Sequence, residues 1–388
     1  MIPSGPSVRL VVTRPHDRMI GDSLRSTARS VCLALRACVL HPAGLFRHRE
    51  SRPPAPSRVG RLLVIRTDRL GDMALTTPAL ADLRAHFRKA EITVLAPAAP
   101  LELLREHPAI DHLVTLADRR LPPELAGRFD LVIDLTPDED LRGALLARAT
   151  RARWRAGFAR AGRQTCFSLP GVRAERRRHI LDLNRDLLVS LGVPPKSAAP
   201  VLHLGSEERA WASGRLAALG AAAPRVAVHP GGHYASQRWA PERFAEVVSR
   251  LTEREGAACI VLAGPDETDL RERLCAASPD ALVPGPLTVR QMMAIVAACD
   301  LFVGNNSGPL HIATAFGIPT VSVMGPTDPL RFAPRGGADR VLRHELPCSP
   351  CQRARCWHHT CLRSIDAEEV AQQAAAALQA PMPREAAR

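Results

Sequence analysis

From Leu62 to Ile65 the chain runs Leu-Leu-Val-Ile without a polar break, the pattern of a strand buried on both faces. The pattern then changes. Between Thr76 and Phe87 the apolar residues Leu80, Leu83 and Phe87 recur at helical spacing, and Pro78 falls in a first turn, where its missing N–H costs nothing. The same switch repeats downstream. It predicts strands at Ile92–Leu95, Leu113–Leu116, Phe129–Asp134 and Ala152–Gly157, a short helix from Leu101 to Arg105, and longer helices at Leu141–Ala149 and His179–Leu191. Strands alternating with helices imply an α/β fold with a parallel sheet covered on both faces.

After a Pro-rich break at Pro194–Pro200 the scheme begins again. Strands are predicted at Val226–His229, Ala258–Ala263, Ala281–Val283, Leu301–Val303 and Thr320–Met324. Helices are predicted at Pro241–Arg254, Glu267–Ala276, Val289–Ala298, Pro309–Phe316 and Glu368–Leu378. The pattern thus divides the chain into a basic N-terminal extension and linker (1–59), a first α/β domain (60–215) and a second (216–388). A length of 388 residues accommodates two such domains.

Composition adds less. The formal charge is +13, and ten arginines against three acidic residues in positions 1–60 supply more than half of it. Residues 23–41 have the pattern of a basic amphipathic helix suited to an anionic membrane surface. No apolar stretch reaches spanning length. Nine Phe, four Trp and one Tyr, with no aromatic residues interleaved in a basic stripe, argue against nucleic acid as a partner. Of the ten cysteines, Cys348, Cys351, Cys356 and Cys361 stand close together. That spacing suits reduced thiols, a disulfide or a structural metal, and with no secretion signal a reducing compartment is expected.

Four junctions carry candidate chemistry. Asp72 follows Gly71 just after the first strand, at the carboxyl edge where open α/β sheets place ligands; a carboxylate there can take a proton from a hydroxyl or cap a helix. Asp68, four residues earlier, is its rival. In the second half, Gly231 and Gly232 allow close backbone approach to an anion, and Ser236, Gln237 and Arg238 add polar and cationic groups. Asn306, Ser307, Gly308 and His311 open a helix whose N–H groups suit a diphosphate. The loop containing Gly325, Thr327 and Asp328 closes the next strand. Neither GxxxxGK[ST] nor GxGxxG is present, which argues against P-loop NTP hydrolysis and dinucleotide-dependent dehydrogenation.

Taken together, Leu63-Val-Ile-Arg-Thr-Asp-Arg-Leu-Gly-Asp-Met-Ala-Leu-Thr-Thr-Pro78, the His229–Phe244 segment, Leu262-Ala-Gly-Pro265, Phe302-Val-Gly-Asn-Asn-Ser-Gly-Pro-Leu-His-Ile-Ala313 and Met324-Gly-Pro-Thr-Asp-Pro329 resemble glycosyltransferase family 9, the ADP-heptose:lipopolysaccharide heptosyltransferases. The resemblance spans about residues 60–370 and includes the cysteine-bearing tail. It implies a GT-B fold, with two Rossmann-like domains facing across a cleft, the acceptor on the first and the nucleotide-sugar on the second. It assigns Asp72 the general-base role and places donor contacts at Gly231, Gly232, Ser236, Gln237, Arg238, Asn306, Ser307, Gly308, His311, Gly325, Thr327 and Asp328. The implied reaction is inverting sugar transfer from ADP-heptose to a lipid-linked oligosaccharide, with no cofactor and no catalytic metal. It implies work in the cytoplasm, with peripheral contact at the inner membrane. Gln237 stands where relatives commonly carry lysine, and Asn306 where they often carry aspartate, so two charges are missing. These departures keep one alternative in view, a nucleotide-sugar or glycan-binding protein without turnover; a second, a nucleotide-sugar epimerase or hydrolase, stands because another GT-B enzyme can handle the same diphosphate donor.

Overall fold

The computed structural model describes the strand Arg9–Thr13, residue 50 and residues 52–380, apart from 119, 176, 218–222, 265, 266, 279, 280 and 337. The amphipathic helix expected at 23–41 lies outside the described residues. Chain contacts divide the molecule into two compact units between His203 and Leu204, with strand β1 (Arg9–Thr13) on the side of the second.

The first unit holds a five-stranded parallel sheet of β2 (Arg61–Ile65), β3 (Glu91–Ala96), β4 (His112–Thr115), β5 (Leu131–Asp134) and β6 (Trp154–Gly157), in the order β4-β3-β2-β5-β6. Leu62, Leu63, Val64, Ile65, Leu131, Val132 and Ile133 have no exposed surface. Helices on the sheet faces require that, so these strands read as unbroken apolar runs. From β2 the chain proceeds outward through β3 and β4, then returns to add β5 on the other side of β2. The carboxyl ends of β2 and β5, in register at Ile65 and Asp134, therefore flank the point where strand order reverses.

The second unit holds a six-stranded parallel sheet of β1 with β7 (Arg225–His229), β8 (Ala258–Val261), β9 (Leu301–Asn305), β10 (Thr320–Val323) and β11 (Arg340–His344). The order is β1-β11-β10-β9-β7-β8, so the reversal lies between β7 and β9. Val226, Val228, Val303, Val321 and Val323 join Phe244, Val247, Leu251, Val370 and Ala374 from the helices Pro241–Glu255 and Ala367–Leu378 in one apolar core. Pro at the start of Pro241–Glu255 and left-handed Gly256 at its end bound that helix as the sequence suggests.

Three expectations change. The strand predicted at Ala281–Val283 is a single parallel bridge between Ile260 and Leu282. The segment 1–59 is not wholly an extension, because β1 pairs with β11 from Arg9↔Arg340 to Thr13↔His344. The domain division falls before the helix Ser206–Leu216 rather than at 215/216, because that helix is tied into the second unit. Its Glu208 accepts from the N–H of Gly205 and from the Arg290 guanidinium, on the helix Val289–Ala297. Among the described residues, no helix is long and apolar enough to cross a membrane.

Candidate active site

At the reversal point of the first unit, β2 is followed directly by Arg66, whose side chain has no exposed surface. A buried cation must be compensated, and three groups do this. Its Nε donates to Asp68 Oδ1 at 2.6 Å, Nη1 donates to the Leu135 carbonyl, and Nη2 lies 3.4 Å from Asp72 Oδ1. Asp72 sits in the first turn of the helix Leu70–Ala74. Its carboxylate is 18% exposed, against 11% for Asp68, so of the two it offers the more open face to a substrate hydroxyl. Burial pushes the Asp68 carboxyl up to about 8 against the pull of Arg66, with Asp72 and Asp138 adding to the rise. The loop is held to β5 by Thr67, whose N–H donates to Thr136 Oγ1 at 3.3 Å. Thr136 in turn donates its N–H to Asp134, which is ion-paired with Arg163 at 2.5 Å with both side chains fully buried.

At the reversal point of the second unit, Asn305 fastens the end of β9 to the loop after β7. Its Oδ1 accepts from Trp239 N at 3.0 Å and its Nδ2 donates to the carbonyls of Pro230 and Gly231 at 2.8 and 3.1 Å. The glycine pair does meet an anion, but a protein carboxylate. Glu267 lies so close over Gly231 that a Cβ there would fall 2.0 Å from its Oε1, and it accepts from the N–H groups of Gly232 and Gly264 at 3.1 and 2.8 Å. His229 Nε2 lies 3.3 Å from the same carboxylate, while its Nδ1 is 3.2 Å from Ser307 Oγ. Glu267 read in the sequence only as a helix start; the loop that it clamps is 35 residues away.

Burial alone would raise the Glu267 carboxyl, but His229 and the two glycine N–H groups together pull it from 4.5 down to about 2. A depressed folded value means that this group's stabilisation is complete above about 4.5 and is lost as pH falls through about 2. Urea midpoints should therefore show wild type more stable than Glu267→Gln at pH 7, with the gap narrowing progressively below pH 4.5. A gap that stays constant down to pH 3 would contradict this reading.

The other predicted donor residues occupy three linked loops. Ser236 is buried and donates from Oγ to the Arg353 carbonyl at 2.5 Å. Gln237 Nε2 donates to Thr327 Oγ1 at 3.3 Å, and Arg238 Nε donates to the Gly232 carbonyl at 2.7 Å. Ser307 is the N-cap residue of the helix Gly308–Ala315, with Pro309 in its first turn and His311 buried within it. Asn306 Nδ2 donates to the Phe332 carbonyl at 3.4 Å. Asp328 is buried and caps the short helix Pro329–Phe332 by accepting from Leu330 N.

The cysteine-bearing segment proves to be the support of these loops. The Cys351 and Gln352 N–H groups donate to the Pro326 carbonyl at 3.1 and 2.8 Å, and Ser349 Oγ donates to the Gly325 carbonyl at 2.6 Å. Gly325 has room for no side chain, since a Cβ would lie 2.6 Å from Leu362 and 2.9 Å from Cys361 Sγ. Cys348, Cys351, Cys356 and Cys361 are free thiols. Burial, reinforced by the three neighbouring sulfurs, pushes Cys361 up to about 11, so it stays protonated at neutral pH. Among the described residues, no three His, Cys, Asp or Glu side chains are arranged to hold a metal ion.

Comparison with known proteins agrees with this architecture. Residues 119–361 match Glycosyltransferase family 9 (heptosyltransferase). The chain is 26% identical over 287 residues to lipopolysaccharide heptosyltransferase 3 of Escherichia coli, covering 68% of this chain and 83% of that one. In fold it is similar to a family 9 glycosyl transferase of Veillonella parvula (TM-score 0.70, 23% identity, 82% and 97% of the two chains). It is also similar to the ADP-heptose lps heptosyltransferase II of E. coli (TM-score 0.69, 21% identity, 82% and 98%).

Proposed function

The chain belongs to glycosyltransferase family 9, and from that premise we propose that it moves a heptose, or a closely related sugar, from ADP-heptose to a hydroxyl of the lipopolysaccharide core or a comparable glycan. The observation that carries the mechanism is Asp72, a partly exposed carboxylate at a strand-order reversal, backed by the buried cation of Arg66. Asp72 accepts the proton of the acceptor hydroxyl. The freed oxygen pair bonds to the anomeric carbon from the face opposite the diphosphate. The bond to ADP breaks with its electrons, and the configuration inverts. No charged intermediate on the enzyme is needed.

The leaving diphosphate gains negative charge as that bond breaks, and groups aimed at this charge lower the barrier. We assign that work to the loops of the second unit: Gly231, Gly232, Ser236 to Arg238, Asn306 to Gly308, His311 and the Gly325–Asp328 turn. The N-terminus of Gly308–Ala315 and the Arg238 guanidinium are the groups of suitable charge there. With a neutral Gln237, Arg238 carries more of the phosphate contact. Arg238→Ala is expected to raise the donor KM by about 10–150-fold, the equivalent of ~1.5–3 kcal/mol for one charge-assisted contact. Gln237→Lys should lower it. Steady-state kinetics at saturating acceptor measures both, and no response to either variant would show that the donor lies elsewhere.

ADP release from ADP-heptose, followed with and without heptose-deficient lipopolysaccharide, tests the reading as a whole. Release should require the acceptor. Free heptose or an isomerised donor formed without acceptor would favour hydrolysis or epimerisation. Tight ADP-heptose binding with no turnover in the presence of acceptor would favour a binding protein.

A further inference from the structure

The Arg66 guanidinium does not serve Asp72 alone. It is fully buried, fixed from behind by the Leu135 carbonyl, with Asn184 Oδ1 3.5 Å from the same Nη1. Its forward edge touches two carboxylates: Asp68 through an aligned bond of 2.6 Å, and Asp72 at 3.4 Å through Nη2, a nitrogen that makes no hydrogen bond. One cation therefore stands between two acids of the same turn. It holds Asp68 by a directed bond and Asp72 by charge.

We propose that Arg66 is the positioning residue that aims Asp72, and that Asp68 is the reserve carboxylate that holds the guanidinium while Asp72 carries the acceptor proton. The proposal rests on Asp72 being the base, as argued above.

The chemistry follows from counting charge. Before reaction, Asp72 is the ionised member facing substrate, and Arg66 balances it. When the acceptor proton arrives on Asp72, that balance is removed and a buried cation would stand alone, which is costly. Asp68, already bonded to Nε, then compensates it by giving its own proton to solvent. Once product leaves, Asp72 returns its proton to water and Asp68 takes one back. The pair thus holds one net negative charge throughout, and its apparent titration belongs to both acids together. The other charged groups facing this site are Asp138 on the loop after β5, and Asp134 with its partner Arg163. Asp134 is already neutralised by Arg163 at 2.5 Å.

The test is the acid limb of the pH profile of kcat/KM in the intact protein. In Arg66→Gln the cation 3.4 Å from Asp72 is gone, so the limb should move up. Below the new limb, activity should be about tenfold lower per unit of displacement, recovering at high pH, with the donor KM unchanged. Arg66→Lys should restore the limb towards its original place. Asp68→Asn should stay active within about tenfold and leave the limb near its place, because Asp68 is protonated before reaction and the amide replaces a neutral acid. An unmoved limb in Arg66→Gln would overturn the proposal. So would an Asp68→Asn variant as inert as Asp72→Asn, which would make Asp68 the base itself. Should Arg66→Gln not fold, Arg66→Lys decides the matter: with the charge kept and the planar fork lost, kcat should fall with the donor KM unchanged, and a wild-type kcat would count against the proposal. Asp72→Asn is the control beneath: if it turns over normally the reading of Asp72 fails, whereas an inert Asp72→Asn with an unmoved Arg66→Gln limb sinks only the present inference.

Discussion

Replacing Asp72 with asparagine should lower turnover by about 10²–10⁴-fold, the range typical of losing a positioned general base. The amide has nearly the shape of the carboxylate but no affinity for a proton at neutral pH. The acceptor hydroxyl would then attack with its proton still attached. Structure should be preserved: the Asp72 side chain is partly exposed, and Arg66 keeps Asp68 at 2.6 Å and the Leu135 carbonyl. Donor binding, assigned to the other unit, should hold as well. The loss should therefore appear in kcat with the donor KM unchanged, and calorimetry should find ADP bound as tightly as by wild type. Turnover within a few-fold of wild type would remove Asp72 from the chemistry and direct attention to Asp68.

The largest expected effect on stability lies one strand away. Arg163→Met leaves the Asp134 carboxylate, which has no exposed surface, without its cation. Breaking a buried pair from one side costs about 3–5 kcal/mol, because the remaining charge is neither hydrated nor matched. Arg163 also donates to the carbonyls of Asp138 and Asp140 at 2.5 and 2.9 Å, so the loop after β5 loses its tie as well. Urea unfolding followed by fluorescence should show the transition of the first unit at a clearly lower midpoint. Replacing both partners with apolar residues of similar size should recover much of the loss, since no orphan charge then remains. A single variant with a wild-type midpoint would mean that Asp134 is held neutral and that the pair does not matter to stability.

The parts of this molecule that the sequence discloses are those where one physical demand dominates. Strands covered on both faces must be apolar throughout, so Leu62–Ile65, Leu131–Ile133 and Val226–Val228 announce themselves. Gly-rich junctions after such strands mark the ligand edges of the two sheets, and that was enough to single out Asp72 and the loops around Gly231 and Ser307. What stayed hidden depends on distant partners. β11 reads Arg-Val-Leu-Arg-His, a short apolar pair between charges, and gains its place from pairing on both sides with β1 and β10. The helix Ser206–Leu216 buries only Ala212 and Leu216, too little for a periodic signal, and is anchored instead by Glu208 to Arg290. Glu267 and Arg66 were the chief omissions from the candidate sites. Each is a polar residue in an unremarkable local context whose meaning comes from loops brought together by the sheet. Ser236 and Asp328 illustrate the reverse: their side chains satisfy backbone groups at 2.5 and 3.1 Å, a shaping task that a ligand-binding motif does not reveal.

The most direct measurement of the central claim is the product of one reaction, followed by mass and by stereochemistry. Wild-type protein, ADP-heptose and heptose-deficient lipopolysaccharide should yield one added heptose per ADP released, and its anomeric configuration, read by NMR of the isolated oligosaccharide, should be opposite to that of the donor. Asp72→Asn should yield the same product far more slowly. Retained configuration, or ADP released without any gain in mass by the acceptor, would contradict single displacement by a hydroxyl that Asp72 deprotonates.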